Sequence, residues 1–274
     1  MSAQPDLPLR PMTLGELLDA AMTLLRARAR PLLLTAGVLA VLEQALLLPL
    51  RAAAVATPPV YGPAKHHFGA WWVLVAAGFA TEGFVICVLG AIAAAAAGPA
   101  LLGRPLRDRD VWKRVRPIPT LFAAVVFGAA CGVAAFVGFV GWVFVYGAFG
   151  LVSAVIVIDR SGSFGRAARL AMRGGMRGAW TRIAAYVTWF AVRMALGAGW
   201  VTVLTWLTGD RPEWLGWTAP VAWAAANTVA YAALACVDGV LLLETRIRTE
   251  GLDIAISRAR SRGQDEAAAL VYAP

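Results

Sequence analysis

The chain has 274 residues, 60% of them hydrophobic and 15% charged, with a formal net charge of +9 and a mean hydropathy of +0.69. A soluble domain is about 45–50% apolar, so the composition excludes an ordinary soluble protein and indicates an all-α integral membrane protein, to be read in spans of about 20 residues. The positive charge does not indicate a nucleic-acid partner, because the basic residues flank apolar runs and no basic, aromatic-interleaved soluble domain carries a groove.

Residues 1–12 are Pro-rich and read as a flexible tail. Thr13 and Glu16 then form a capping box, and Leu14, Leu17, Leu18, Ala21, Met22 and Leu25 recur at helical spacing. An amphipathic interfacial helix is expected over 13–29, lying on the inner membrane surface. The membrane domain, residues 13–245, holds six predicted spans at about 31–50, 70–97, 118–137, 139–158, 183–208 and 217–243. Helices are required, since open sheet edges would leave backbone groups unpaired in lipid and nothing alternates like a barrel strand.

A secretory signal peptide is the competing reading of the first span. It is disfavoured because roughly 30 residues precede an apolar stretch that contains Glu43 and Gln44. The segment GRPLRDRDVWKRVRP reads as a short surface helix ending at Pro117. Spans three and four meet through Gly138 and Gly141 without a polar loop, as two tightly connected helices or as a pair that does not fully cross.

A second interfacial helix is expected over 163–178. There Arg166, Arg169, Arg173 and Arg177 fall within about 80° of one another on a helical wheel, which suits anionic lipid headgroups or a plain positive-inside anchor. Gly174 and Gly175 weaken that helix. Residues 246–274 form a cytoplasmic C-terminal tail.

Orientation follows from the basic residues. With both termini in the cytoplasm, the inner segments hold Arg10, Arg26, Arg28 and Arg30; Arg104, Arg107, Arg109, Lys113, Arg114 and Arg116; Arg160, Arg166, Arg169, Arg173, Arg177 and Arg182; and Arg246, Arg248, Arg258, Arg260 and Arg262. The outer segments hold only Arg51, Lys65 and Arg211, so 21 stand against three and the N-in, C-in topology of a bacterial inner-membrane protein is expected. Trp71, Trp72, Trp142, Trp206, Trp214 and Trp217 fall at outer span ends, where indoles favour the headgroup level. Cys87, Cys131 and Cys236 lie inside spans without metal-type spacing and read as packing residues. Gly128 and Gly132 form a GxxxG face that suits close packing within the chain or dimerisation.

Four ionisable residues, Glu43, Glu82, Arg193 and Asp238, lie inside predicted spans. Counting 1.5 Å per residue from the inner boundary puts Arg193 roughly 16 Å deep, Glu43 roughly 18 Å, Glu82 roughly 22 Å and Asp238 about 9 Å. Depth favours Glu43 or Glu82 over Asp238 as the partner of Arg193. Three acids against one base leave carboxylates to be protonated, hydrated or matched by a cation. A structural polar network, a substrate or ion pathway and a contact with another membrane subunit all fit.

Several of these stretches resemble a bacterial family of six-span proteins, the glycerophosphoryl diester phosphodiesterase membrane-domain proteins. The likeness rests on Pro11, Thr13, Leu14, Gly15, Glu16, Leu17, Leu18 and Asp19; on Gly103-Arg104-Pro105; on Arg177-Gly178 with Trp180; and on the exit ETRIRTEGLDI, with Glu250-Gly251-Leu252-Asp253. It covers nearly the whole chain, although LLL replaces the tyrosines usual before the exit acid and a proline usual near the third-to-fourth turn is missing. The resemblance implies six spans and no established activity, because the phosphodiesterase barrel that names the family is a separate domain. His66 and His67 are adjacent in a predicted outer loop without paired acids, and no phosphate loop, nucleophile elbow or metalloprotease helix is present. The expectation is a non-catalytic, cofactor-free assembly, regulatory or envelope-associated partner embedded in anionic lipid; the alternative is a small-molecule, ion or lipid transporter that uses the intramembrane charges.

Overall fold

A computed structural model describes residues 7–104, 106–209 and 212–272. Pro105 and Arg211 lie outside the described residues, as do residues 1–6 of the proline-rich start. The chain is a multi-span α-helical membrane protein. Its helices are α1 (Leu14–Ala27), α2 (Ala29–Ala53), α3 (Phe68–Leu101), α4 (Asp108–Arg114), α5 (Pro117–Val137), α6 (Phe139–Phe149), α7 (Val152–Ala154) running into a π turn (Val155–Asp159), α8 (Phe164–Thr208), α9 (Pro212–Glu250), α10 (Leu252–Ser261) and α11 (Glu266–Leu270). Six segments are long and apolar enough to cross a bilayer: Ala29–Ala53, Phe68–Leu101, Pro117–Val137, Phe139–Asp159, Phe164–Leu207 and Gly216–Glu250.

α3 and α9 form the centre of the bundle, and α8, the most exposed span, packs along α9 and α6. The centre is where helices apolar on every side belong. The alanine run Ala93–Ala97 in α3 is fully buried, with strong helix propensity and side chains small enough for neighbours to approach. Against α3 lies α5, seated by the two glycines of its GxxxG face. A Cβ on Gly128 would stand 2.7 Å from the Ala80 carbonyl, and one on Gly132 2.7 Å from the Ala80 methyl. That face is therefore used within the chain. α5 ends at Gly138, and α6 through the π turn spans Phe139–Asp159, 21 residues in each case, or about 31 Å, enough to cross the hydrocarbon core.

Several elements differ from their sequence reading. The tail before α1 is anchored, with Leu7 and Met12 buried in the core. The capping box is present at Thr13, but the apolar face of α1 (Leu17, Ala20, Ala21, Leu24, Leu25) is covered by α9 and α3 instead of lipid. The helix expected over 163–178 is broken: Arg173–Met176 leave helical geometry, with φ of +62° at Gly174, +73° at Gly175 and +64° at Met176. Two glycines that adopt positive φ at no steric cost permit the turn, so the four arginines do not share one face. The last segment is no loose tail either. α9 continues to Glu250, Gly251 turns the chain at φ +64°, and Leu252, Ile256 and Leu270 are buried. Trp142 is buried against Phe79, Tyr146 and Tyr186, whereas Trp206, Trp214 and Trp217 are exposed.

Contacts such as Arg28–Asp108, Arg104–Asp265 and Arg177 Nη2 to the Met12 carbonyl gather the basic segments at one end of the bundle, called here the termini end.

Candidate functional site

Two buried arginines of α8 organise the bundle interior. Arg193, at the middle of its span, pairs with Glu82 of α3: Nη2 donates to Oε2 at 3.0 Å, and Nη1 lies 2.9 Å from Oε1, off the hydrogen-bonding angle. Tyr186 Oη accepts from Arg193 Nη2 at 3.0 Å and donates to Glu82 at 3.2 Å. Eleven residues earlier, Arg182 pairs with Asp238 of α9 through Nε–Oδ1 at 2.6 Å and Nη2–Oδ2 at 3.0 Å. Its Nη1 donates to the Tyr146 carbonyl, and its guanidinium lies over the Tyr146 ring at 4.1 Å. Gly150 makes space for this group, since any Cβ there would overlap the guanidinium.

Arg182, counted with the inner basic segment from sequence, is thus an interior residue and the answer to Asp238. With two interior ion pairs rather than one, a single acid is left without an ion pair. Glu43 of α2 accepts from the Tyr231 hydroxyl at 3.0 Å, Asn227 Nδ2 at 2.9 Å and Thr81 Oγ1 at 3.0 Å, and no cation pairs with it among the described residues. Neutral donors satisfy its oxygens but not its charge.

Glu43, Glu82 and Arg193 line a cavity of about 370 Å³ between α2, α3, α8 and α9, on the half of the bundle away from the termini. Aromatic walls come from Tyr61, Trp71, Phe79, Phe190 and Trp223. The 54–67 loop roofs it, held by Trp71 Nε1 to the Tyr61 carbonyl at 2.8 Å and Trp223 Nε1 to the Pro59 carbonyl at 3.0 Å. Arg51 stands beneath Tyr61 at 4.1 Å from the ring and donates to Gln44 at 2.6 Å; sequence alone places it in an outer segment, yet it is 9% exposed. Four of the lining residues carry buried polar atoms without a hydrogen-bond partner: Arg51 Nη1, Glu82 Oε1, Arg193 Nε and Asn227 Oδ1. Buried polar atoms are nearly always satisfied, so four around one cavity mark a place where something else, water or a solute, completes them.

The four arginines proposed from sequence to face anionic lipid separate. Arg166 is buried, bound to Asp159 at 2.7 Å and to Glu250 at 2.7 and 2.9 Å, with the Tyr272 ring 3.5 Å away. Arg173 reaches Glu250 at 3.4 Å, and Arg177 donates to the Met12 carbonyl at 2.9 Å. Arg169 alone is exposed with no such contact. Arg246 joins the cluster through Asp159 at 2.8 Å and Glu250 at 3.1 Å. This group fastens the ends of α8 and α9 to α11; it is a latch inside the protein.

Sequence reasoning missed Arg182, Arg51, Asn227 and Tyr231. A signal for most of them exists. Arg182, Tyr186 and Arg193 stand at i, i+4 and i+11, and Asn227, Tyr231 and Asp238 repeat the same spacing. At 100° per residue each set falls within about 40° of one helix face, and two antiparallel helices bring those faces together.

Fold and site define a class: a multi-span α-helical membrane protein whose interior carries two buried ion pairs and an aromatic-walled polar cavity. No family model, curated protein or solved structure matches the chain.

Proposed function

We propose that this protein carries a small organic anion with an apolar body across the membrane, linked to a proton on Glu43. The observation that carries the reading is Glu43: a buried carboxylate without a cation, at the floor of a cavity that also presents unpartnered polar atoms. With all four charges formed, Glu43 and Glu82 balance Arg51 and Arg193. A bound monoanion would add one negative charge, and one proton on Glu43 restores neutrality in a medium where an unbalanced charge is costly. Arg51 Nη1 and Arg193 Nε supply donors for the anionic group, Asn227 Oδ1 an acceptor, and the aromatic walls the apolar contact.

This reading takes the place of the non-catalytic assembly partner, because an inert scaffold gives no reason to keep unsatisfied polar atoms around a cavity. The chain is further proposed to lie in a bacterial inner membrane with both termini cytoplasmic, by the basic-residue asymmetry, and to be a non-enzyme. The likeness to the six-span membrane-domain family supplies no substrate.

The test is uptake of radiolabelled benzenesulfonate, an aromatic monoanion that stays ionised and crosses lipid poorly unaided, into proteoliposomes under an imposed pH gradient. Wild type is expected to accumulate label, and Glu43→Gln to lose accumulation while its melting temperature and yield hold. Equal uptake by both proteins, or by empty vesicles, sinks the proposal. Recovery of one stoichiometric partner protein without any uptake would favour the assembly reading.

A further inference from the structure

At the termini end, apart from the polar cavity, a second cavity of about 590 Å³ opens between α3, α4, the π turn and α11. Lys113, Arg114, Arg116 and Arg160 line it, over an apolar floor that includes Ala94 and Leu270. It stands about 20 Å along α3 from Glu82. No carboxylate lines it, and the other basic groups at this end differ in that respect. Arg166 and Arg246 are bound to Asp159 and Glu250, Arg248 to Glu244, and Arg104 to Asp265. Lys113 has Asp110 at 3.0 Å, whereas Arg114, Arg116 and Arg160 form no ion pair among the described residues, Arg114 feeling Asp265 only through its longer-range field. Arg116 Nη1 donates to the Arg160 carbonyl at 3.3 Å, tying two sides of the rim together. Arg160 itself closes the π turn in the left-handed region, φ 55°, a conformation unfavourable for a residue with a side chain.

We propose that this cavity binds a phosphate group, the headgroup phosphate of an anionic phospholipid whose glycerol and upper chain cover the apolar floor. Guanidinium groups match phosphate geometry with paired donors, and basic pockets between membrane helices on the cytoplasmic side are suited to acidic headgroups. Free phosphate shares that chemistry but would leave the apolar floor uncovered.

The experiment is native mass spectrometry of the full chain in mild detergent, titrated with phosphatidylglycerol, with phosphatidylcholine, and with millimolar inorganic phosphate as competitor. The double variant Arg114→Ala/Arg160→Ala is expected to lose about thirtyfold in phosphatidylglycerol affinity, as removal of two near-surface cations implies. Arg107→Ala/Arg109→Ala, which changes exposed arginines outside the cavity, should bind as wild type. Both pairs of sites are exposed, so melting temperatures should match. Binding of inorganic phosphate with the same dependence on Arg114 and Arg160, and no lipid selectivity, would keep the phosphate chemistry and assign a soluble source. Equal losses in both double variants, unchanged affinity in the first, or equal retention of phosphatidylcholine overturns the site.

Discussion

Glu82 and Glu43 are carboxylates in the same bundle interior, yet only Glu82 faces a guanidinium, and their substitutions should diverge. Glu82→Gln strips the countercharge from buried Arg193, a loss worth about 3–5 kcal/mol where a buried pair is broken from one side. Denaturation in detergent should show it as a large drop in stability, while joint replacement of Glu82 and Arg193 by methionine should recover most of it. Glu43→Gln keeps a similar shape and breaks no ion pair, so stability should change far less. If Glu43→Gln proves as damaging as Glu82→Gln, the distinction drawn between the two acids is wrong. Gly150→Ala belongs with these cases, because a methyl there displaces Arg182 from Asp238; a matching fall in thermal stability is expected.

Between elements, α3 and α5 approach closely through glycine. Gly128→Ala adds a methyl 2.7 Å from the Ala80 carbonyl and, as overpacking, should cost about 1–3 kcal/mol, measured by thermal unfolding. At α1, Arg10 beside Glu16, together with the Thr13 amide and hydroxyl, holds the Glu16 carboxyl down to about 2 from an ordinary 4.5. A carboxylate whose folded value is depressed contributes stability above its unfolded value, and that contribution is lost as pH falls through the folded value. Protection factors of the α1 amides, which divide out the intrinsic pH dependence of exchange, should therefore be constant from neutral pH to about 4.5 and fall between there and about 2. Glu16→Gln should abolish that acid dependence; a variant that keeps it would show that another group governs the helix. The spans were legible in hydropathy because each is a local sum. The covering of α1 and the break at Arg173–Met176 were not, since an amphipathic face looks alike whether lipid or protein covers it. A Gly-Gly pair, likewise, permits a turn without demanding one.

Across the whole molecule, charge is sorted into two depths: a latch of arginines and acids at the termini end, and the interior pairs with the cavity above them. The depth count from sequence left Glu43 and Glu82 both open as the partner of Arg193, of which the structure takes Glu82, and it assigned Arg182 to the water side because it adjoins a basic run. Which charge answers which depends on helices far apart in sequence, Glu82 with Arg193 and Arg182 with Asp238, and no local pattern states that. In the exit segment Arg246 and Glu250 are engaged in the latch, and the Met12 carbonyl accepts from Arg177 and Arg248. That the cavity is a hydrated binding site open to one side is the claim on which the functional account rests. Gly78 lines it with nothing within 4 Å of an added Cβ, and the three native cysteines are buried. Labelling of Gly78→Cys by a membrane-impermeant thiol reagent, added to either side of sealed vesicles, tests the claim directly. Rapid modification from one side, slowed by benzenesulfonate, is predicted; no modification above the native-cysteine background from either side would contradict it.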